Sequence, residues 1–485
     1  MAIPVPPMRE LIALWPEALM TIAACGALIA DVVIPHGRKR LIGWGCFIAV
    51  CVIFLLLLAV PPQGGSMLSG MFIADGYSAF FKGLFLISSA LTVLISLRYL
   101  DDERSHYGEY YALLLFAALG MMFMASGGDL ITIYLGLELM SLPTYVLAGF
   151  IRRDTSSTEG ALKYFLMGAF TSGILLYGLA LLYGLTGSTN LSAVAQKIAS
   201  VSLDDPALLL AIILVVTGFG FKIAAVPFHM WAPDAYEGAP TAVTAFMSAA
   251  VKAAAFAGLM RIFVVALAPV APRWEILWWV LAALSMVLGN VVALVQTSLK
   301  RMLAYSSISH AGYALIGVVA AVQAKGPGVS SALFYLFAYM FTTMGTFSMI
   351  ILLTRQGFRG DRITDFAGLG RTHPLPAIVF IVFFLSLAGI PPTVGFVGKL
   401  LIFRAAIDSG FIVLAVIGVA TSAIAAYYYF MVIKTMFMDE PTVTVQLSPS
   451  RPLTIGLAIM VAATFLLGLF PNLVLRAADA GRLVQ

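Results

Sequence analysis

The chain has 485 residues, of which 61% are hydrophobic and only 11% are charged, and its mean hydropathy is +1.01. Soluble globular domains usually carry about 25% charged residues, so this composition excludes that class. The formal net charge of +5 does not point to nucleic acid, because in so apolar a chain the positions of the charges matter more than their sum.

Long apolar segments follow one another along the whole sequence. Apolar runs of about 20 residues predict membrane-spanning helices, and about fourteen such runs are present. They lie at 11–34, 41–60, 72–97, 110–125, 130–150, 160–185, 207–226, 240–267, 274–297, 302–322, 329–354, 376–403, 410–437 and 452–470. No connector is long enough for a second folded domain. The sequence therefore predicts an all-α, polytopic integral membrane protein, with residues 1–485 as a single membrane domain.

Lysine and arginine are distributed unevenly between the connectors. Connectors that follow odd-numbered segments share one side of the membrane and carry fifteen Lys and Arg residues, against eight on the other side. The positive-inside rule then places the richer side in the cytoplasm and both termini in the periplasm. The first segment follows Arg9-Glu10 and is expected to remain as a span, not to act as a cleaved signal peptide. We expect a bacterial inner-membrane protein, with a mitochondrial counterpart as the alternative.

Sequence motifs for cofactors are missing. There is no GxGxxG dinucleotide fingerprint, no P-loop and no HExxH spacing. Cys25, Cys46 and Cys51 fall inside predicted spans without metal-ligand spacing, which is typical of small buried hydrophobic residues. We therefore expect this chain to hold no cofactor, metal or redox centre of its own, and to bind neither NADH nor ATP.

A few ionisable residues lie inside the predicted spans. They are Lys82, Glu138, Lys163, Lys222, Lys252, His310 and Lys399. A charge at the bilayer centre costs at least about 2.5–3.5 kcal/mol, so such residues usually serve ion pathways. The alternative is a lysine whose long stem carries its charge to the interface. For Lys163, three residues past Gly160, both interpretations stay open, and Lys82 has no evident partner.

Glu138 is the one acid in this group. It follows Asp129, the polar edge of its segment, by nine residues, which places it roughly 13 Å along the helix. A carboxylate has no long stem that could reach the interface, and Pro143 should kink the helix five residues later. We interpret Glu138 as a functional residue, with a purely structural buried acid as the alternative.

The seventh segment is interrupted by proline. Lys222 lies fifteen residues into it and precedes Pro227 by five, with His229 just after the interruption. Lys252 is twelve residues past Pro240, roughly 18 Å along the next helix. A buried lysine whose carboxylate partner can move is a switchable proton site. We therefore predict that Lys222 and Lys252 bind protons; His229 either supports them or only caps the interruption.

The second half of the chain repeats this arrangement. Pro391-Pro392 interrupts the twelfth segment, and Lys399 follows it after Gly395-Phe396-Val397-Gly398, which allows local unwinding. His310 lies among hydroxyl residues near the start of the tenth segment. Because hydroxyls can hold waters and histidine titrates near neutral pH, we predict a proton relay there. The alternatives are an interfacial Lys399 and a His310 bonded to a neighbouring carbonyl.

Two proline-interrupted helices in opposite halves indicate an internal repeat. Residues 110–267 (helices 4–8) and 274–437 (helices 9–13) would form five-helix units that lie inverted in the membrane, each with a discontinuous helix and a lysine. The match is approximate, because Lys222 precedes its interruption whereas Lys399 follows its own.

The run from Lys222 through Pro227-Phe228-His229-Met230-Trp231-Ala232-Pro233-Asp234-Ala235-Tyr236-Glu237-Gly238-Ala239-Pro240-Thr241 resembles the signature of the antiporter-like subunits of respiratory complex I. Within that family, Tyr-Glu-Gly-Ala-Pro-Thr and the stretch from Ser386 through Lys399 are most similar to subunit N. Subunit M typically has glutamate in place of Lys399, and subunit L would continue well past Leu475. The resemblance covers essentially the whole chain.

The resemblance implies a function and a role for each candidate residue. Complex I oxidises NADH, reduces a quinone such as ubiquinone and moves protons outward. FMN, iron–sulfur clusters and quinone would be bound by partner subunits, and the partners would be the other antiporter-like and small membrane subunits. By the family pattern, Glu138 would pair with Lys222, Lys252 would be the central relay, and His310 and Lys399 would be the connecting and distal sites. A changing separation between Glu138 and Lys222 would drive protons along this row.

Two alternatives remain open from the sequence. One is a subunit of a multisubunit cation/proton antiporter, which shares the fold and many motifs; Lys399 and Tyr236-Glu237-Gly238 argue against it. The other is a membrane scaffold whose buried charges only pair helices.

Overall fold

The computed structural model of the chain describes residues 7–61, 65–102, 107–322, 327–353, 360–441, 447, 450–481 and 483. The side chains of Arg9, His36, Asp101 and Asp102 also lie outside the described part. Of the basic residues counted for membrane orientation, Arg9, Arg104, Lys325, Arg355, Arg359 and Arg482 therefore have no described side chain.

The described part of the chain is almost entirely helical. In chain order the helices are α1 (Met8–Ala13), α2 (Trp15–Val33), α3 (Arg40–Ala59), α4 (Gly76–Asp102), α5 (Gly108–Ser126), α6 (Leu130–Ala148), α7 (Thr155–Thr186), α8 (Leu191–Ile198), α9 (Pro206–Lys222), α10 (Trp231–Gly238), α11 (Thr241–Phe246), α12 (Lys252–Met260), α13 (Ala271–Ala293), α14 (Leu299–Ala320), α15 (Gly328–Leu353), α16 (Leu369–Thr372), α17 (Pro374–Ala388), α18 (Val394–Asp408), α19 (Ile412–Met438), α20 (Arg451–Leu469) and α21 (Asn472–Ala480). Two short strands, β1 (Gly65–Met67) and β2 (Phe72–Ala74), pair antiparallel between α3 and α4. The prediction of an all-α membrane protein is confirmed, and the hairpin is an addition.

Twelve helices of the described residues are long and apolar enough to cross a membrane. One of them, Thr241–Ala266, contains α11 and α12, with one π-helical stretch between them at Met247–Val251 and a second after α12 at Arg261–Ala266. Two shorter apolar helices, α9 and α17, are followed after an interruption by α10 and α18. These two interrupted helices account for the other two of the predicted segments.

The interruptions occur where the sequence breaks helical hydrogen bonding, and the freed backbone groups find other partners. At the first, Trp231 Nε1 donates to the Phe221 carbonyl at 2.9 Å, and Val226 N donates to Ser285 Oγ at 2.9 Å. At the second, Gly389 ends α17 with φ of 85°, a left-handed conformation that favours glycine. Irregular backbone at membrane depth is tolerated only when protein or water satisfies it in this way.

The start of three site-bearing helices is fixed by polar caps. Asp129 accepts from Ile131 N at 2.8 Å at the start of α6, and Asp205 accepts from Ala207 N at 2.8 Å at the start of α9. Ser298 caps α14 in the same way. Each cap satisfies backbone N–H groups that the first helical turn leaves free, so it sets which residues fall at mid-membrane depth.

The core and the periphery of the bundle differ in burial. α14, α15 and the continuous helix Thr241–Ala266 are buried along nearly their whole length, whereas α2, α3, α7, α13, α19 and α20 expose apolar faces. Exposed apolar side chains are favourable against lipid, so such faces are typical of the outer surface of a membrane protein. Close contact inside the bundle needs small residues: a Cβ on Gly120 of α5 would lie 2.3 Å from Met140 N of α6.

Candidate functional site

The predicted site residues lie on five helices that pass through the bundle: Glu138 on α6, Lys222 on α9, Lys252 on α12, His310 on α14 and Lys399 on α18. The side chains of the last four are 3%, 3%, 4% and 4% exposed. A lysine that reaches the interface would expose its charged head, so burial this complete leaves these charges inside the protein. His310 lies in the middle of α14, not near the start of its helix as the sequence suggested.

Glu138 and Lys222 are connected through hydroxyl groups of α6. Lys222 Nζ donates to Ser141 Oγ at 2.7 Å and to Tyr145 OH at 2.9 Å, and Ser141 Oγ donates to the Leu137 carbonyl. Ser141 is one helical turn from Glu138, so a single turn of α6 carries the acid and the acceptor of the lysine. Glu138 Oε1 is buried without a hydrogen-bond partner, and the described residues show no ion pair between the two charges.

Aromatic side chains hold Lys222 at the end of α9. Its ammonium lies 5.3 Å from the Tyr145 ring centre, within the range of a cation–π interaction. Tyr164 stacks on Trp231 with 4.3 Å between ring centres, and Tyr145 meets Tyr164 edge-on. Because Trp231 also donates to the Phe221 carbonyl in the last turn of α9, the aromatic cluster fixes the helix end that carries the lysine.

Lys252 follows the first π-helical stretch directly and points to α14. Its Nζ donates to the Ser307 carbonyl at 2.6 Å and also contacts Ser307 Oγ. π-Helical turns are rare and frequently occur at functional sites, since they rotate the following residues relative to the helix. Ser307 is three residues from His310 on the same face of α14, so Lys252 contacts α14 one turn before the histidine.

His310 lies among three tyrosines. Its Nδ1 shares a hydrogen bond with Tyr335 OH at 2.6 Å, and its ring stacks on Tyr339 at 4.7 Å between ring centres. The second ring nitrogen, Nε2, is buried and has no hydrogen-bond partner among the described residues. The structure thus provides one satisfied nitrogen and one free nitrogen, as a residue that accepts and passes on a proton requires.

Lys399 reaches back across the second interruption. Its Nζ donates to the carbonyls of Leu387 and Ala388, each at 2.9 Å, and to Ser422 Oγ of α19 at 2.7 Å. These carbonyls end α17, where the helix carries partial negative charge. A Cβ on Gly389 would lie 2.7 Å from Lys399 Cδ, so the glycine is needed for the lysine to approach.

Three buried lysines of the row share one property. Lys222, Lys252 and Lys399 donate to hydroxyl or carbonyl oxygens, and none of them forms an ion pair with a carboxylate in the described structure. A buried ammonium without a counterion is costly, so such a group can release its proton when a neighbouring charge changes. The arrangement is chemically suited to proton exchange.

Two predicted supporting residues lie apart from the row. Lys163 is 45% exposed and pairs with Glu159 at 2.8 Å and Asp234 at 2.9 Å. Asp234 also binds Arg301 of α14, so this charged group connects α7, α10 and α14 near the helix starts. His229 is half-buried beside the exposed Pro227. Pro227 and Pro391 lie within the two interruptions, as the sequence predicted.

Several residues that matter to the geometry were not singled out from the sequence. One is Glu17, which forms a buried ion pair at 2.8 Å with Lys82, the lysine for which the sequence showed no evident partner. The pair is an electrostatic contact without hydrogen-bond alignment. Glu17 lies inside the first apolar segment, so its position in the sequence could have identified it as a buried charge. Arg261, counted as a connector residue, is 2% exposed and donates to Asp75 at 2.8 Å. The lysine acceptors had no distinctive signal; they are Ser141, Tyr145, Ser307 and Ser422.

Comparison with known proteins places this geometry in a family. A family model described as NADH:quinone oxidoreductase/Mrp antiporter, TM, matches residues 127–425. The chain is 42% identical over 468 residues to NADH-quinone oxidoreductase subunit N of Trichlorobacter lovleyi, covering 96% of each. It is 44% identical over 467 residues to NADH-quinone oxidoreductase subunit N 2 of Rhizobium meliloti, again covering 96% of each.

Chains in solved structures have the same fold as this protein. One is a chain of respiratory complex I from Thermus thermophilus with bound aureothin: the TM-score is 0.82 at 34% identity, over 96% of this chain and 100% of that one. Another is a chain of the Mrp complex from Dietzia sp., with a TM-score of 0.83 at 24% identity, over 96% of this chain and 97% of that one. The second likeness concerns the fold alone.

Proposed function

The chain belongs to the NADH-quinone oxidoreductase subunit N family, and from this premise we propose that it translocates protons in the membrane arm of complex I. Oxidation of NADH and reduction of quinone take place on other subunits, and this chain couples them to proton transfer. The observation that carries the proposal is the buried row Lys222, Lys252, His310 and Lys399, whose three lysines have only neutral acceptors in the described structure.

Proton transfer begins at the first interruption. When the Glu138 carboxylate approaches Lys222, its negative charge favours the ammonium form of the lysine. When the carboxylate withdraws, the lysine keeps only Ser141 and Tyr145 as partners, and its proton becomes easier to release. Ser141 lies on the helix that carries Glu138, so a small rotation of α6 changes both the charge and the acceptor next to the lysine.

The proton then passes along the row. Lys252 bonds Ser307, which precedes His310 by one turn of α14, and Nε2 of His310 has no hydrogen-bond partner among the described residues. Lys399 lies over the Tyr313 ring at 5.1 Å, and the same ring meets His310 edge-on at 5.6 Å. Lys222 and Lys252 share no hydrogen-bond partner among the described residues, so transfer between them requires water or motion.

The surroundings follow from the same premise. The partners are other membrane subunits of complex I, including antiporter-like and small ones, and the lipid bilayer; nucleic acid is not a partner. The redox centres, FMN and iron–sulfur clusters, and the quinone site belong to partner subunits.

The two five-helix units, 110–267 and 274–437, are inverted repeats, each with one interrupted helix and a lysine. The protein resides in a bacterial inner membrane with both termini in the periplasm.

Copurification tests the assembly. An affinity-tagged chain should copurify with NADH-oxidising activity and with flavin and iron–sulfur absorbance. A cation/proton antiporter subunit would copurify with none of these, and that result would overturn the proposal.

A reporter at the C terminus tests the orientation. A reporter enzyme that folds only in the periplasm should be active when fused after residue 485. Activity only from a cytoplasmic reporter would contradict the orientation and the inverted-repeat interpretation.

A further inference from the structure

Asn290 of α13 is the centre of a buried polar cluster outside the lysine row. Its side chain is fully buried, and its amide nitrogen donates to the Met286 carbonyl at 2.8 Å and to Tyr313 OH at 3.1 Å. Its amide oxygen accepts from Tyr428 OH at 3.0 Å. The Met286 carbonyl can only accept, so the nitrogen must face it and the orientation of the amide is fixed.

Asn290 separates two groups of hydroxyls. On one side lies Tyr313, which bonds Thr421 Oγ1 at 3.2 Å and contacts both His310 and Lys399. On the other side lies Tyr428, with the Tyr429 ring 4.5 Å away. A further hydrogen bond joins Tyr429 OH to Ser306 Oγ.

The second set of hydroxyls, those of Tyr428, Tyr429 and Ser306, lies towards one membrane face. Asn290 is three residues from the end of α13 at Ala293, and α14 starts on that same side at Leu299. Ser306 is seven residues past the start of α14, whereas Tyr313 is fourteen residues past it and lies beyond the middle of the helix. The charge distribution predicts that this face is cytoplasmic.

Hydroxyls and amides differ in how they carry protons. A hydroxyl can accept one proton and release another, so a chain of hydroxyls conducts. The amide of Asn290 has no proton that titrates near neutral pH, and both its N–H groups are already bonded. The amide therefore connects the hydroxyls of Tyr313 and Tyr428 by hydrogen bonds and has no titrating proton of its own to hand on.

We propose that Asn290 is a proton barrier, which prevents leakage between the Lys399 end of the row and the hydroxyl group of Tyr428, Tyr429 and Ser306. The inference rests on the proposed function, because a barrier matters only beside a proton path. Selectivity against protons in membrane pores depends on such fixed donors and acceptors.

Passive proton leak through the assembled complex tests the barrier. Complex I containing this chain is reconstituted into vesicles, a pH gradient is imposed without NADH, and its decay is followed with a pH-sensitive dye. Asn290→Asp should speed the decay several-fold. The introduced carboxyl can take a proton from the Tyr428 hydroxyl and give it to the Tyr313 hydroxyl, or the reverse. Asn290→Ser, which leaves a hydroxyl and room for water, should act in the same direction if Asn290→Asp does not assemble.

Matched variants separate a barrier from a packing role. Asn290→Leu has a similar volume and no exchangeable proton, so its decay should equal wild type. Asn290→Asp with Tyr428→Phe should lose the leak, since the second hydroxyl group is then disconnected. Wild-type decay in both Asn290→Asp and Asn290→Ser, at wild-type abundance, would overturn the proposal. The leak is measured without turnover, so a complex that leaks yet never pumps would refute the proposed function and not the barrier.

Discussion

Two regions of this protein hold almost completely buried lysines whose partners differ in kind. In the N-terminal region, Lys82 of α4 contacts the Glu17 carboxylate of α2 at 2.8 Å, and both side chains are at most 2% exposed. In the central row, equally buried lysines contact hydroxyls and carbonyls. A direct carboxylate partner fixes the charge and ties two helices together, whereas neutral acceptors leave the proton exchangeable. We therefore propose that partner chemistry, not burial, distinguishes a structural lysine such as Lys82 from a proton-transfer lysine of the row.

The largest effect should come from breaking the N-terminal pair. Lys82→Met leaves Glu17 buried without its partner, at a cost of about 3–5 kcal/mol. The amount of assembled complex in membranes, measured by native gel and immunoblot, should fall steeply. Adding Glu17→Gln removes the stranded charge and should restore most of the assembly. Normal abundance of the single variant would show that the pair does not stabilise the fold.

Removing a lysine of the central row should lower proton pumping and leave assembly intact, whereas Lys82→Met should lower assembly. Lys399→Met removes a charge that has no carboxylate partner in the described structure, so the complex should assemble. Proton pumping, followed as NADH-driven acidification of inverted vesicles, should fall more than about tenfold, as for loss of a proton-transfer group. Lys163→Met is the matched control, because Lys163 is 45% exposed and paired; it should change pumping little. Unchanged pumping in assembled Lys399→Met would make this lysine a packing residue.

Glu138 and Lys222 sharpen the comparison, because here an acid belongs to the row without touching the lysine. Glu138→Gln and Lys222→Ala should each impair proton-coupled quinone reduction. The double variant should cost little more than either single change, because both act on one step. Glu138→Asp should keep partial activity if charge matters more than reach. Strictly additive losses, at equal membrane abundance, would refute the coupling.

The sequence predicted the helices well and the partners poorly. Apolar runs and prolines locate the spans and the interruptions at Pro227 and Pro391, because hydropathy and missing N–H groups act locally. Whether a lysine faces Glu17 or Ser307 depends on how helices that are distant in the sequence pack together. A serine in an apolar helix looks the same in the sequence whether or not it contacts a lysine. The residues Met247–Val251, which form the π-helical stretch before Lys252, likewise have no proline or glycine that would have predicted it.

A smaller effect is expected at Gly389. A Cβ there would lie 2.7 Å from Lys399 Cδ, and its φ of 85° is strained for other residues. Gly389→Ala should cost about 1–2 kcal/mol from backbone strain and displace Lys399 from the α17 carbonyls. We expect reduced pumping per NADH with modest loss of assembly. Gly410→Ala, also at φ 86° but in open space, is the control for strain alone. Equal pumping in both variants would show that the approach to Lys399 is not limiting.

The central claim, that the neutral-partner lysines of the row transfer protons and Lys82, paired with Glu17, does not, is tested most directly by the ratio of protons pumped per NADH oxidised. It should be measured in purified, reconstituted complexes carrying either Lys252→Met or Glu17→Gln with Lys82→Met. The account predicts that the first variant assembles and its ratio falls, whereas the second keeps the wild-type ratio. A wild-type ratio in Lys252→Met together with a lowered ratio in the paired variant would contradict it.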